Sequence, residues 1–389
     1  MRKSIAFIII ALICLTGYSR TPEDYLDAEY QGQLDERIAG CRTSCRPTDP
    51  LYINLIQEKA DRSFKPQPVE PEEERYYRQE DPTARYFHTA AILWTDLLLW
   101  DSISKDEYEQ FCMGDPIPFL IYDRYGMDEP DRWTYFGPHS AISYYGVLYP
   151  DETLVICGAN EQLAKRIYGI ASESYRQAAE YYLEALRIAC EKRPSDAEGT
   201  KQKMERAKIL CEDILKNSHL DKNSNDYYEW LFNAYRCRLS VHGGNKKIQK
   251  EIDKTAKAVS VLNDTVLIEL YAELQAECAM LSKDYAHAVQ LLTNAIEKTS
   301  EYKQLPYIFS LIHAYVLAEE YEKAEPLLGV VFDIISQGSL ALPRDPVYIG
   351  RDMLSFCPFS TFGIFPYRLE LIKQYENRIT THYGFQIEE

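Results

Sequence analysis

Apolar residues recur at helical spacing through the second half of the chain. In "EQLAKRIYGIASESYRQAAEYYLEALRIACEK", Tyr175, Ala178, Tyr182 and Ala185 fall at i, i+3, i+7 and i+10. Met204, Ala207, Cys211 and Ile214 repeat those offsets in "KMERAKILCEDIL", so each set occupies one helical face. Breaks rich in capping and helix-stopping residues follow at "RPSDAEG", "NSHLDKNSND" and "HGGNKK". Almost everything from about Asn160 onward therefore reads as helix. Upstream, "YFHTAAILWTDLLLWDSIS" predicts a buried helix carrying Ala90, Leu93, Trp94, Leu97 and Trp100. A short helix is expected over Leu51 to Arg62, before the Pro/Glu linker "FKPQPVEPEEE". The Gly-, Pro- and aromatic-rich stretch from Cys112 to Glu152 reads as irregular loops, with short strands expected at "FLIYD" and "YYGVLYP".

A second regularity lies between helices. "KDYAHAVQLLTNAI" and "EEYEKAEPLLGVVF" each carry Tyr-x-x-Ala followed by Leu-Leu, and Tyr285 and Tyr321 are 36 residues apart, as are Ala288 and Ala324. The shared face holds Tyr285, Ala288, Leu292 and Ala295 in one stretch and Tyr321, Ala324, Leu328 and Val331 in the other. An alanine at a crossing point lets two helix axes approach while larger neighbours fill the flanks. Ahead of Tyr321, Ile308, Leu311, Ile312 and Tyr315 make a first-helix pattern, repeated by Tyr228, Leu231, Phe232 and Tyr235. Pro306 and Pro326 fall in what read as first turns, where proline costs little.

These residues resemble the tetratricopeptide repeat, a helix-turn-helix unit of about 34 residues. The match is best over Pro306 to Gln337. Over Leu267 to Thr299 it holds for the second helix only, because Gln275 stands where an apolar residue is usual. Residues 160–190 and 226–262 are half matches, and Phe232 and Ile312 replace the small residue of the first helix. The expected fold is mainly α, a tetratricopeptide-like solenoid over residues 159–337. Such units stack, and the first helices line a groove. The resemblance implies that this groove holds a peptide or protein, with Phe309, His313 and Val316 facing it in the best unit and Glu273, Glu277 and Met280 in the preceding one.

The ends complete the division. Arg2 and Lys3 precede eleven apolar residues, Ile5 to Leu15, and Gly17-Tyr18-Ser19 offers a cleavage site, so residues 1–19 read as a signal peptide. Eleven residues are too few for a bilayer span of about 20, and no later segment approaches one. Ile13 before Cys14 is large where a lipid-modified leader needs a small residue. The expected location is exported: periplasm, cell envelope or secreted. Residues 20–82 form a polar, acidic segment, and 83–158 a helix plus the aromatic loop region. Residues 338–389 form a cap, in which Phe356, Phe359, Phe362 and Phe365 fold over the last repeat and Leu369, Ile372 and Tyr375 turn inward from a final helix.

Charge and chemistry narrow the role. The formal charge of -17 becomes -19 without Arg2 and Lys3, which disfavours nucleic acid and anionic lipid as partners. Ten cysteines are scattered rather than densely spaced. "CRTSCR" leaves open a Cys41–Cys45 bridge, half of a metal site, or two free thiols. Cys190, Cys211, Cys237 and Cys278 read as small buried residues. "HGGNKK" lacks the strand and spacing of a phosphate loop, and neither Gly-x-Ser-x-Gly nor His-Glu-x-x-His occurs. Asn263-Asp264-Thr265 is a glycosylation sequon that matters only in a eukaryotic host. No metal, cofactor or catalytic residue is expected. The leading expectation is a non-catalytic binding or scaffold protein. The alternative is a glycan or small-ligand site in residues 85–150, lined by Trp133, Tyr135, Phe136, His139, Tyr144 and Tyr145, whose flat rings suit sugars.

Overall fold

The structure, a computed structural model, describes residues 22–64, 82–113, 137–138, 141–142, 149–191, 197–244, 246–298, 305–327, 377–378 and 381–382. The protein is mainly helical, with thirteen bounded helices and no strand among these residues. The chain divides into two compact units, Met1–Ala141 and Ile142–Glu389.

The first unit contains α1 (Pro22–Ser44), α2 (Pro50–Ser63), α3 (Pro82–Leu97) and α4 (Lys105–Met113). The Asp49 side chain accepts from the Leu51 N–H at 2.8 Å and starts α2, as an N-cap should. Ser104 and Glu107 cap α4 reciprocally, side chain to backbone at 2.9 and 3.2 Å. Ala90, Leu93, Trp94 and Leu97 are buried, as expected. The α3 helix stops sooner than its pattern suggested: Leu98, Leu99 and Trp100 donate to the carbonyls three residues back, a tightening that ends the helix. Trp100 stays buried, its ring edge-on to Tyr52 at 5.0 Å. Asp96 ties three helices together, accepting from Tyr52 Oη at 2.6 Å and from Arg42 through a two-pronged contact at 3.0 and 2.5 Å.

The second unit runs through α5 (Pro150–Tyr168), α6 (Glu173–Glu191), α7 (Ala197–Asn217), α8 (Asn225–His242), α9 (Lys246–Asp253), α10 (Ala256–Leu262), α11 (Thr265–Leu281), α12 (Tyr285–Lys298) and α13 (Leu305–Leu317). Residues 321–327 are also helical. Helix α5 starts at Pro150, upstream of the expected Asn160, and crosses residue 158, where the sequence pattern divided the chain. Packing follows chain order: α5 on α6, α6 on α7, α7 on α8, α8 on α11, α11 on α12 and α12 on α13. Tyr175, Ala178 and Ala185 are buried on α6, as are Met204, Ala207, Cys211 and Ile214 on α7. Gly158 permits a close approach of α5 to α6, since a Cβ there would lie 3.2 Å from the Tyr182 ring. In "HGGNKK", Gly244 has a packing reason: a Cβ would come within 2.5 Å of the Ser282 nitrogen.

The turns at the two Tyr-x-x-Ala stretches have the same backbone. Lys283 and Glu319 are left-handed, with φ of 62° and 63°. Asp284 N–H donates to Ala279 O at 2.9 Å and Lys283 N–H to Met280 O at 3.0 Å. Thirty-six residues on, Glu320 N–H donates to Tyr315 O at 2.9 Å and Glu319 N–H to Val316 O at 3.1 Å. This is the six-to-one and five-to-two pairing that closes a helix on a left-handed residue. Ala288 and Ala324 are both fully buried and share one apolar cluster with Leu292, Leu311 and Ile312. Pro326, however, is not in a first turn. The helix starts at Tyr321, so Pro326 is its sixth residue and removes the hydrogen bond that would run to the Glu322 carbonyl. Leu328 and Val331 lie outside the described residues.

Residues 377–378 and 381–382 are helical and belong to the same unit. Arg378 donates to the Leu317 carbonyl and, at 3.3 Å, to that of Val316. It also meets Glu319 at 3.1 Å. His382 stacks on Tyr321, ring centres 3.8 Å apart. A guanidinium thus sits on the last carbonyls of α13, where helices favour positive charge. The remaining residues assigned to the cap and final helix, and both expected strands except Tyr149 and Pro150, lie outside the described residues.

Candidate binding face

Polar side chains of α6 and α8, of α8 and α11, and of α11 and α13 lie together. Between α6 and α8 opens a cavity of about 250 Å³, lined by Glu173, Arg176, Gln177 and Glu180 from α6 and Asp226, Glu229 and Trp230 from α8. The α6 residues stand at i, i+3, i+4 and i+7, the face left polar when Tyr175, Ala178 and Ala185 pack inward. Ser224 places the start of α8 by accepting from the Tyr227 N–H at 3.2 Å. Four carboxylates share this cleft with one guanidinium. Partial burial raises the Glu180 pKa above its ordinary value, and the charges of Glu229 and Asp226 add to the rise. Burial, then Asp226 and Asp264, raise that of Glu229. Like charges crowded in one place favour a proton or an external cation.

The next step of the row is closed by ion pairs and the one after it by a hydrogen bond. Arg236 on α8 points its Nε at Glu277 Oε1 (3.0 Å) and its Nη2 at Glu273 Oε2 (2.8 Å), both on α11. Tyr307 on α13 donates from Oη to the other Glu273 oxygen at 3.1 Å. The Arg236 side chain is 7% exposed and that of Glu277 1%. One cation cannot neutralise two carboxylates, so burial pushes the Glu277 pKa well above the usual range, Glu273 adding to the rise and Arg236 opposing it.

The expected groove residues are therefore not on an open wall. Glu277, Met280, His313 and Val316 are buried, and Glu273 is half-buried in the Arg236 contact. Met280 and Val316 belong to the apolar cluster that holds Ala288, Leu292 and Ala324, so they pack within the core of α11 to α13. Burial lowers the His313 pKa to about 3 and keeps its ring neutral. The side chain of Phe309, and Trp133, Tyr135, Phe136, His139, Tyr144 and Tyr145, lie outside the described residues. The cleft residues and Arg236 escaped the sequence pattern, although the polar spacing of Glu173, Arg176, Gln177 and Glu180 is visible there.

Cys41 and Cys45 are free thiols, and burial raises the Cys41 pKa to about 11, with Cys45 adding to the rise. No group of three or more His, Cys, Asp or Glu among the described residues has an arrangement that would hold a metal ion. No helix among them is long and apolar enough to cross a membrane. No known protein family, curated protein or solved structure matches the chain.

Proposed function

We propose that this chain is an exported, non-catalytic binding protein built from tetratricopeptide-like hairpins, and that the acid-lined cleft of α6 and α8 receives basic side chains of a protein or peptide partner. The observation that carries the reading is the cleft itself: Glu173, Glu180, Asp226 and Glu229 around one cavity, with only Arg176 to offset them. The repeated turn at Lys283 and Glu319 supports the hairpin reading. Glu277 is buried and Glu273 is held by Arg236 and Tyr307, which leaves the α6–α8 step as the section of the row with exposed carboxylates.

Calorimetric titration with an oligolysine peptide and an oligoglutamate peptide tests this. The lysine peptide binds and the glutamate peptide does not. Glu180→Gln combined with Glu229→Gln removes only two charges from a chain of net charge -17, yet abolishes most of the binding. Glu198→Gln combined with Glu212→Gln, which removes two charges from exposed positions of α7, leaves it unchanged. Equal losses in the two double variants mean diffuse attraction to an acidic surface, and the cleft is then not the site.

A further inference from the structure

Lysines gather on the outer faces of two short helices of the second unit. Residues 246–257 carry Lys246, Lys247, Lys250, Lys254 and Lys257 against two acids, Glu251 and Asp253. In α9, Lys246, Lys247 and Lys250 stand at i, i+1 and i+4, and Lys254 continues the stripe at i+8 in the turn that follows. Lys257 and Val261, at i and i+4, share the outer face of α10. The opposite faces hold Ile248, Ile252 and Val259, which are buried in a cluster with Phe232 and Leu274. All five lysines are exposed, and Val261 at the end of the stripe is 75% exposed. Both acids are engaged locally: Glu251 meets Arg238 at 2.8 Å, and Asp253 accepts from Gln249 at 2.8 Å. A chain of net charge -17 thus presents one face that attracts anions.

The cleft of α6 and α8 has the opposite character, with Glu173, Glu180, Asp226 and Glu229 around its cavity. No residue of α9 or α10 lines that cavity, so the stripe does not fill its own cleft. We propose that the cleft takes lysines of α9 and α10 from a second copy of this chain, so that copies join through two unlike surfaces. This names the partner of the cleft and rests on the binding role proposed above. Both halves of the match are present in every copy, in equal number. A lysine ammonium is a compact charge on a flexible stem, suited to a small cavity walled by carboxylates, and a positive patch facing a negative one selects and orients the partner. The copies repel as whole bodies, but exposed charges are screened beyond about 8 Å at physiological ionic strength. The lysines and carboxylates that meet therefore decide the contact. A joint between unlike patches is head-to-tail.

Sedimentation velocity of full-length protein over a concentration series tests this. The mean sedimentation coefficient of the wild type should rise with concentration, and high salt should remove the rise. Glu180→Gln combined with Glu229→Gln should stay monomeric, and so should Lys250→Gln combined with Lys254→Gln. An equal mixture of these two double variants should associate again, because one keeps the stripe and the other the cleft; misfolded variants could not complement each other in this way. Lys216→Gln combined with Lys222→Gln, at exposed positions outside the stripe, should behave as wild type. A wild type that stays monomeric while oligolysine still binds overturns the second-copy proposal and leaves the cleft reading standing. A wild type that neither associates nor binds oligolysine removes both. A mixture that does not associate, cleft or stripe variants that associate like the wild type, or an equal loss in the Lys216 and Lys222 control also overturns the proposal.

Discussion

Arg236→Met isolates the ion-pair row. The substitution keeps most of the buried stem and removes the guanidinium that serves Glu277 at 3.0 Å and Glu273 at 2.8 Å. Two unit charges about 4 Å apart attract by about 4 kcal/mol at an effective dielectric of about 20. Glu273 is half-buried and still receives Tyr307, so its share is small. Glu277 is sealed, and stranding a buried charge typically costs about 3–5 kcal/mol. That range is expected here, a large fraction of a typical domain stability of about 5–15 kcal/mol. The pH dependence has a definite sign. Without Arg236 the folded-state pKa of Glu277 rises further above its ordinary 4.5. The folded protein then holds a proton that the unfolded chain releases, so stability falls as pH rises from about 4.5 towards the raised folded value. The cost of Arg236→Met should thus be smaller at pH 5.5 than at pH 8. Urea unfolding followed by far-ultraviolet circular dichroism at both pH values measures it. Adding Glu277→Met should recover most of the loss, because an apolar pair of similar volume replaces an ion pair at little cost. A single-variant cost below about 1 kcal/mol, or a cost independent of pH, would refute the reasoning.

Other expectations can be checked with simpler measurements. Ala324→Leu inserts a larger side chain at a fully buried position and should cost about 1–3 kcal/mol; an unchanged melting temperature would remove Ala324 from the packed interface. Lys283→Gly relieves a left-handed residue and should stabilise by up to about 1 kcal/mol. Glu319→Gly should gain less, because it also loses the Arg378 contact; a loss at both positions would mean that the turns are not strained. Arg378→Ala should cost about 1 kcal/mol and raise hydrogen exchange at the end of α13 first, whereas uniform exchange would show that the carbonyl contact does not hold that end. Mature protein should begin near Arg20, as intact-mass measurement of the exported fraction would show, and recovery with residues 1–19 attached would undo the export reading.

The helical faces were legible because one-dimensional spacing encodes them. Tyr175, Ala178 and Ala185 needed only the helical period; the left-handed turns at Lys283 and Glu319 were not expected. Arg236 was not legible. It sits beside the stripe of Tyr228, Leu231, Phe232 and Tyr235, where a charged residue reads as solvent-facing, and its partners are 37 and 41 residues away. No periodicity records which distant carboxylates will neutralise a cation. The burial of Glu277, Met280, His313 and Val316 has a similar origin. Met280 and Val316 join the apolar cluster of Ala288, Leu292 and Ala324, a packing that the offsets within single helices do not reveal. The end of α3 at Leu97 was missed because Leu98, Leu99 and Trp100 continue the apolar run while the backbone tightens.

Helices that pack mainly on their chain neighbours tend to unravel from an end, each unit leaving at the cost of a single interface. The Arg236–Glu273–Tyr307 row changes that expectation for the second unit. One carboxylate is held at once from the helix before it and the helix after it, so α8, α11 and α13 cannot separate singly without stranding a polar group. The row makes unfolding cooperative across three helices whose apolar contacts alone would let them leave separately. Its partners are also far apart in the chain, so this cooperativity arises only after the local hairpins have formed. These three helices should therefore assemble as quick local pieces and come apart together.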